Sequence, residues 1–438
     1  MSVWYNRLVV LVIMTLSCNL SAQEKWTLRD CIEYARRENI QVKKSELTAA
    51  SSGVDLKQAK AELFPSLSGS VSQTYNHAKE ASNDYKYKGL FNGQYGLNAS
   101  WTIFNGNKNR NNIKQAELQK EADELYTEQQ QNNIEISITQ TYLQLLYARE
   151  SIKNNENIVQ SSEAQLKQTK DFLDAGSITR AEYAQVESQY SSDKYNLVLA
   201  QNSYDSYLLQ LKQLLELDII DEFQPDFPNI RSEEVEALIP SKYEVYQTAL
   251  QIMPEIKNNK LGIDIAEISK SSAKAGYLPT VALTGGLGTS NTWNSSFPAF
   301  STQINRNFNQ YIGVSVSIPI FDNRANKSNV ERANLQIQTA ELNYTQAQKD
   351  LLSTVESLYL DAVSGQSKYS SAKDKLTSSE LSYTLVKEQY ALGMRNTVEL
   401  TTEQNNYANA LQELLQAKYT ALLSIKLLNF YQGKEITL

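Results

Sequence analysis

Two stretches constrain this chain more than any other feature. "GLNASWTIFNGNKNR" begins at Gly96, and "GVSVSIPIFDNRANK" begins at Gly313, 217 positions later. Each reads as an alternating strand that ends in Ile-Phe and runs straight into a polar helix start. The same spacing pairs Ala116 with Ala333, Glu124-Leu125 with Glu341-Leu342, Tyr142 with Tyr359, Gly176 with Gly393, Glu182 with Glu399 and Tyr190 with Tyr407. Upstream, "AKAELFP" (59–65) matches "AKAGYLP" (273–279) at a spacing of 214, and a loop between the strands can absorb the three-residue difference. The chain therefore reads as two homologous halves, 23–217 and 241–432, with a short tail at 433–438. The segment 218–240 joins them, and its Pro225, Pro228 and Pro240 break regular structure.

Each half reads helix, strand, strand, long helix, helix. In the first half these are expected at 28–62, 64–77, 90–104, 106–172 and 178–217. In the second they are expected at 241–276, 280–293, 308–321, 323–390 and 395–432. The long helices are marked by what they lack: no Gly or Pro lies between Gly106 and Gly176. At about 1.5 Å per residue, a helix over 106–172 is roughly 100 Å long, while the return helix is roughly 60 Å and the opening helix roughly 50 Å. Each half thus offers one long rod and two shorter helices that match it end to end. Ile134, Ile138, Tyr142, Leu145 and Leu146 fall on one helix face, a narrow stripe of the coiled-coil kind.

The strands alternate. One face of the first pair carries Leu67, Val71 and Tyr75, with Leu97 and Trp101; the other carries Ser66, Ser68, Ser70 and Ser72, with Asn92, Gln94, Asn98 and Ser100. In the second pair Val281 and Leu283, with Val314, Val316 and Ile318, share the apolar face, and Tyr311, Gly313, Ser315 and Ser317 lie opposite. Alternation over about 10–14 residues with aromatics near the ends fits strands tilted across a bilayer. A soluble sheet packed on helices explains the alternation, but it explains the aromatic ends and small polar faces less well. Four strands cannot close a barrel, and open edges are not viable in lipid. Two pooled copies would give eight strands and a lumen filled by side chains. Three would give twelve strands and an open one. The expected fold is α+β, mainly α: long antiparallel coiled-coil helices plus four strands per chain toward a 12-stranded trimeric transmembrane barrel, with lipid on the apolar face.

Charge and composition narrow the function. A net charge of −7 and a pI near 5.2 argue against nucleic acid as a partner. One His and two Cys argue against a His- or Cys-based metal site. No carboxylate pair, phosphate loop or nucleophile set is present, so neither an enzyme nor a cofactor is expected. The front end reads as an export signal over 1–22: Arg7 precedes the apolar run Leu8–Leu16, too short to span a bilayer. Cleavage after Ala22 leaves Cys31 alone, a small hydrophobe on the apolar face of the first helix; cleavage before Cys18, with lipidation, is the rival.

With these features in place, the chain resembles the TolC family of outer-membrane channel-tunnel proteins over essentially all of the mature sequence. The carriers are "WTLRDCIEYARRENIQV", the paired "AKAELFP" and "AKAGYLP", the paired "IFNGNKN" and "IFDNRAN", and the tips "DAGSITRAEYAQ" and "ALGMRNTVELTT". The resemblance implies a homotrimer, with its barrel in the outer membrane of a Gram-negative bacterium and its helices forming a tunnel in the periplasm. It implies passive export of small molecules or polypeptides, fed by an inner-membrane RND or ABC transporter through a periplasmic adaptor. It assigns the tips Ala175, Gly176, Ser177 and Ile178, with Leu392, Gly393 and Met394, to adaptor contact. It assigns Tyr390, Arg395 and Glu399 to a periplasmic gate. The usual second acidic position is Thr402 here, with Glu403 beside it, so one acidic ring or two remain open. Glu182, the repeat mate of Glu399, matches the carboxylate that bonds the gate Arg, and an Arg395–Glu182 lock is the expectation. Residues 77–89, with His77, and 294–307 are expected as outer loops. A periplasmic or surface coiled-coil scaffold, lipid-anchored at Cys18, is the alternative.

Overall fold

The computed structural model describes residues 25–79, 87–218, 220–293 and 298–438. The export segment and Cys18 lie outside the described residues, as do 80–86 and 294–297 of the expected outer loops. The first half contains α1 (Leu28–Glu38), α2 (Ile40–Ala61), β1 (Ser66–Lys79), β2 (Tyr87–Asn105), α3 (Lys108–Asp174) and α4 (Arg180–Leu214). A short α5 (Ser232–Val235) follows. The second half contains α6 (Lys242–Ile252), α7 (Pro254–Ala275), β3 (Thr280–Trp293), α8 (Phe300–Arg306), β4 (Asn309–Ser317), α9 (Ala325–Ala391) and α10 (Thr397–Tyr431). The helices come as two sets of equal lengths in the same order: 11, 22, 67 and 35 residues.

The opening helices expected over 28–62 and 241–276 are each broken, at Asn39 and Met253, whose backbones are extended. Both breaks have local causes. The Asn39 side-chain oxygen accepts the Gln41 amide at 2.9 Å and so caps α2. After Met253 stands Pro254, whose missing N–H is harmless at a first helical position.

The described chain forms two compact units. One comprises the chain up to Lys44, Thr127–Pro254 and Gln348–Leu438; the other comprises Ser45–Tyr126 and Glu255–Ala347. In the first unit the apolar stripes of α1 (Leu28, Cys31, Ile32, Ala35) and α3 (Ile138, Tyr142, Leu145) are buried, with Leu211, Val245, Leu422 and Leu428. Burial pushes the Cys31 thiol up to about 12, so it stays a neutral, inert hydrophobe. The segment 218–240 is tied down. Trp26 bridges Pro225, the Tyr142 hydroxyl donates to the Asp226 carbonyl at 2.6 Å, and the Gln366 amide donates to the carbonyls of Val235 and Ala237. The tail also docks: Ile436 is buried, and the Lys426 ammonium donates to the Thr437 carbonyl.

The second unit holds one antiparallel sheet in the order β1-β2-β3-β4. Pairings such as Leu67↔Ala99, Leu97↔Leu287 and Leu283↔Val314 keep apolar residues on one face, while Ser70↔Gly96, Ser100↔Thr284 and Ala282↔Ser315 keep small and polar ones on the other. A bulge between Thr102 and Phe104 turns Phe104, not Ile103, toward Val281. The fourth strand is shorter than expected. The ladder ends at Thr280↔Ser317, so Ile318 lies outside it, and Pro319 has no N–H with which to continue. Residues 294–307 are not simply a loop, since α8 forms there. Its Gln303 amide bonds both the N–H and the carbonyl of Thr292, completing the β3 edge where β4 has not yet begun.

The duplicated exit has a shared geometry. Gly106 and Asn107, and again Asn323 and Arg324, are consecutive left-handed residues that turn strand into helix. Just beyond each, an Asn ties the new helix to the end of the opening one: Asn109 donates to the Glu62 carbonyl, and Asn326 to the Gly276 carbonyl.

Candidate functional site: the two hairpin tips and the layer beneath them

Both long helices end in the same way. The Gly176 N–H bonds the Leu173 carbonyl and the Ser177 N–H bonds the Phe172 carbonyl; at the second tip Gly393 bonds Tyr390 and Met394 bonds Gln389. This paired 5→2 and 6→1 pattern needs a left-handed residue, and Gly176 (φ +71°) and Gly393 (φ +74°) supply it. The return helices then start on reciprocal capping boxes. Thr179 and Glu182 form one, and Asn396 and Glu399 form the other. Two sharply defined turns result, 175–179 and 392–396.

The tip side chains point to solvent. Ala175, Gly176 and Ser177 are exposed and Ile178 is half-buried. Leu392 and Met394 are 75% and 69% exposed, a large apolar display for two turn positions that flank Gly393. Behind the second tip, Tyr390 is only 4% exposed. Its ring meets Phe172 edge-on at 5.9 Å, and its hydroxyl shares a hydrogen bond with Thr169 at 3.2 Å. With Tyr383 and Leu400 it forms a core that Phe172, Val386 and Tyr407 complete.

The expected Arg395–Glu182 pair does not form within the chain. The Arg395 guanidinium donates to Glu399 at 3.0 Å and to Gln389 at 2.8 Å. Glu182 is held by its own turn. The Thr179 N–H and hydroxyl donate to it at 2.7 and 2.9 Å, which lowers its pKa from the usual carboxylate range. Glu182 and Glu399 are repeat mates because each stands three residues past an N-cap, and that local role competes with a distant partner. Thr402 is exposed and donates to the Val398 carbonyl of its own helix. Glu403 accepts from Asn406 one turn on.

One group near the tips escaped the sequence reading. Asp193 on α4 is 4% exposed and accepts from Gln189 and from Gln404 of α10, each at 2.9 Å, and from Ser162 of α3. Burial raises its pKa despite these bonds. Gln189 also exchanges amide hydrogen bonds with Asn405, and Gln185 donates to Thr401. A signal was present: Val186, Asp193 and Ala200 are spaced by seven, all three are buried, and the repeat mate of Asp193 is Ala410, also buried. An acid stands where the other half of the chain has a methyl.

Among the described residues no His, Cys, Asp and Glu cluster could hold a metal ion, and no helix is long and apolar enough to cross a membrane. A family model described as outer membrane efflux protein matches residues 32–216 and 245–433. The chain belongs to the outer membrane efflux protein family. The outer membrane protein TolC of Escherichia coli strain K12 is 24% identical over 429 residues, covering 95% of this chain and 84% of that protein. The outer membrane efflux protein BepC of Brucella suis is 21% identical, covering 92% and 84%. Among solved structures, CusC superposes with a TM-score of 0.81 at 18% identity over 93% of this chain and 92% of that one. The CmeC outer membrane channel of Campylobacter jejuni gives 0.78 at 20% identity over 94% and 87%. These structures share the fold. Family membership places the protein in the outer membrane as an efflux channel and decides against a scaffold without pore activity.

Proposed function

We propose that three copies of this chain pool their sheets into one 12-stranded barrel and form the outer-membrane duct of a tripartite efflux or secretion system. The observation that carries this reading is the sheet. Its apolar face is exposed at Leu67 (75%), Val71 (74%) and Val314 (66%), its other face is mostly small and polar, and among the described residues β1 and β4 each pair on one side only. Lipid tolerates such a sheet only when every edge is closed and the polar face is inward. Energy comes from an inner-membrane RND or ABC transporter. Relatives named for protease secretion, such as AprF of Pseudomonas aeruginosa, support polypeptides as well as small molecules as cargo.

The tips are the periplasmic entrance. Leu392 and Met394, with Ala175, Gly176, Ser177, Ile178 and Gly393, receive the helical hairpins of a periplasmic adaptor. Around the threefold axis three Glu399 carboxylates form a ring that attracts cations. Arg395 moderates that ring through its pair with Glu399, while Thr402 and Glu403 lie one turn further in. An exposed pair of this kind holds weakly on its own, but three act together. The test is single-channel recording in planar bilayers. Wild type should open in defined steps from a low closed-state current, and Arg395→Ala should raise that current and its cation selectivity. A closed-state current unchanged in Arg395→Ala would remove Arg395 from the gate, and a purified protein without conductance steps would remove the duct.

A further inference from the structure

The polar face of the sheet is built mostly from small and polar residues. Among the described paired residues, Tyr311 on β4 is the only aromatic side chain on that face. Its neighbours leave it room. It pairs with Gly286, which pairs in turn with Asn98, and Gly96 pairs with Gly288 beside them. The Tyr311 hydroxyl donates to the Asn98 side-chain oxygen at 3.3 Å. Neighbouring strands lie about 4.8 Å apart, so a side chain rooted on β4 meets one from β2 only by lying along the sheet, across β3. A Cβ on Gly286 would stand 2.6 Å from Tyr311 Cε1 and 2.9 Å from Cζ, closer than real atoms approach. The ring thus occupies the space that any other residue at 286 would fill. One ring face rests against Gly286 of β3, and the residue is still 56% exposed.

We propose that Tyr311 is a cargo contact inside the barrel: a platform whose free ring face takes aromatic organic cations, with Gly286 as the positioning residue that lets the ring lie flat. This rests on the reading that the polar face lines the lumen. The chemistry follows from the ring. Its face carries the negative part of the quadrupole and attracts a cation, and a planar aromatic cation adds stacking area. The surrounding Ser, Thr, Asn and Gly side chains offer neither, so the ring is the adhesive spot on an otherwise slippery wall. The hydroxyl bond to Asn98 keeps it from standing into the path.

The test uses the full-length protein in planar bilayers, with N-methylquinolinium as the probe and 2-naphthalenesulfonate, a similar planar anion, as the control. Tyr311→Ser should weaken quinolinium block roughly twofold to fivefold, the range for an exposed cation–π contact, and leave block by the sulfonate unchanged. Tyr311→Phe should retain most of the quinolinium block. Gly286→Ala should lower the unblocked conductance by pushing the ring upright, and adding Tyr311→Ser should restore it. Ser315→Cys, on the same face, separates the inference from the reading beneath it. If a charged methanethiosulfonate does not reduce the Ser315→Cys current, the polar face is not the lumen and both fall. If it does, but Tyr311→Ser leaves quinolinium block unchanged, the platform falls and the duct stands.

Discussion

Asp193 allows a quantitative prediction, because the structure shows which of its partners would be stranded. In Asp193→Ala, Gln189 keeps Asn405 as an acceptor at 3.0 Å, and Ser162 keeps the Val159 carbonyl at 3.1 Å. Gln404, only 2% exposed, loses the sole acceptor of its amide N–H. One stranded buried donor costs about 1–3 kcal/mol, so Asp193→Ala should destabilise by that amount and not by three times as much. Asp193→Asn is different. The Gln404 side-chain oxygen is buried without a partner, so an amide flip lets it accept from the new Asn while the Asn oxygen serves Gln189; the Gln404 NH2 then takes the oxygen's unpartnered place, so Asp193→Asn strands that donor but satisfies the acceptor, whereas Asp193→Ala satisfies neither. Asp193→Asn also removes a carboxyl whose ionisation is opposed by burial. Its folded-state pKa is raised, so its contribution to stability is complete below the ordinary carboxylate range and is lost as pH rises through the raised value. Asp193→Asn should therefore be more stable than Asp193→Ala at pH 7 and should lose part of the decline in stability that wild type shows as pH rises above the ordinary carboxylate range. Thermal unfolding followed by circular dichroism in mild detergent measures both. The reasoning is refuted if Asp193→Asn is less stable than Asp193→Ala at pH 7, or if wild type gains stability relative to Asp193→Asn as pH rises.

Three glycines separate two kinds of cost. Gly365→Ala places a Cβ 2.9 Å from Ala421 Cα and 3.0 Å from its nitrogen, where α9 and α10 touch. The overpacking cost of about 1–3 kcal/mol should outweigh the helix-propensity gain of about 1 kcal/mol, and thermal dissociation should shift downward. Gly176→Ala and Gly393→Ala meet nothing within 4 Å. Each should cost only the left-handed backbone, about 1–2 kcal/mol, and Asn at the same position should recover part of it; equal losses for Asn and Ala would show that φ is not the cause. Leu392→Ser with Met394→Ser should leave conductance unchanged and abolish cross-linking to an adaptor in cells, and unimpaired cross-linking would take these positions out of the docking site.

Much of the fold was written in periodicity. Alternation located all four strands, and long runs without Pro, free of Gly in α3 and with Gly365 alone in α9, located both 67-residue helices. The tips were legible because only glycine ends a helix cheaply in a left-handed turn. What escaped depends on single hydrogen bonds and single prolines. The breaks at Asn39 and Met253 involve no glycine, and Asn39 caps α2 from a position that reads as helix interior. The β4 terminus turns on Pro319, which alternation ignores. Gln303 completes a strand edge through a side chain, and no periodicity registers that. At the candidate site, repeat symmetry identified Glu182 and Glu399 as equivalents but hid why. Both are capping carboxylates first, which is why Arg395 meets its neighbour Glu399 instead of Glu182.

The central claim is that each chain is one third of a closed wall, and the open edges of the sheet test it most directly. Ser68→Cys on β1 and Ser315→Cys on β4, combined in one chain and oxidised in outer membranes, should link copies only to one another and stop at a covalent trimer. Bands that end at the monomer or dimer, or that climb past three copies without closing, would contradict it.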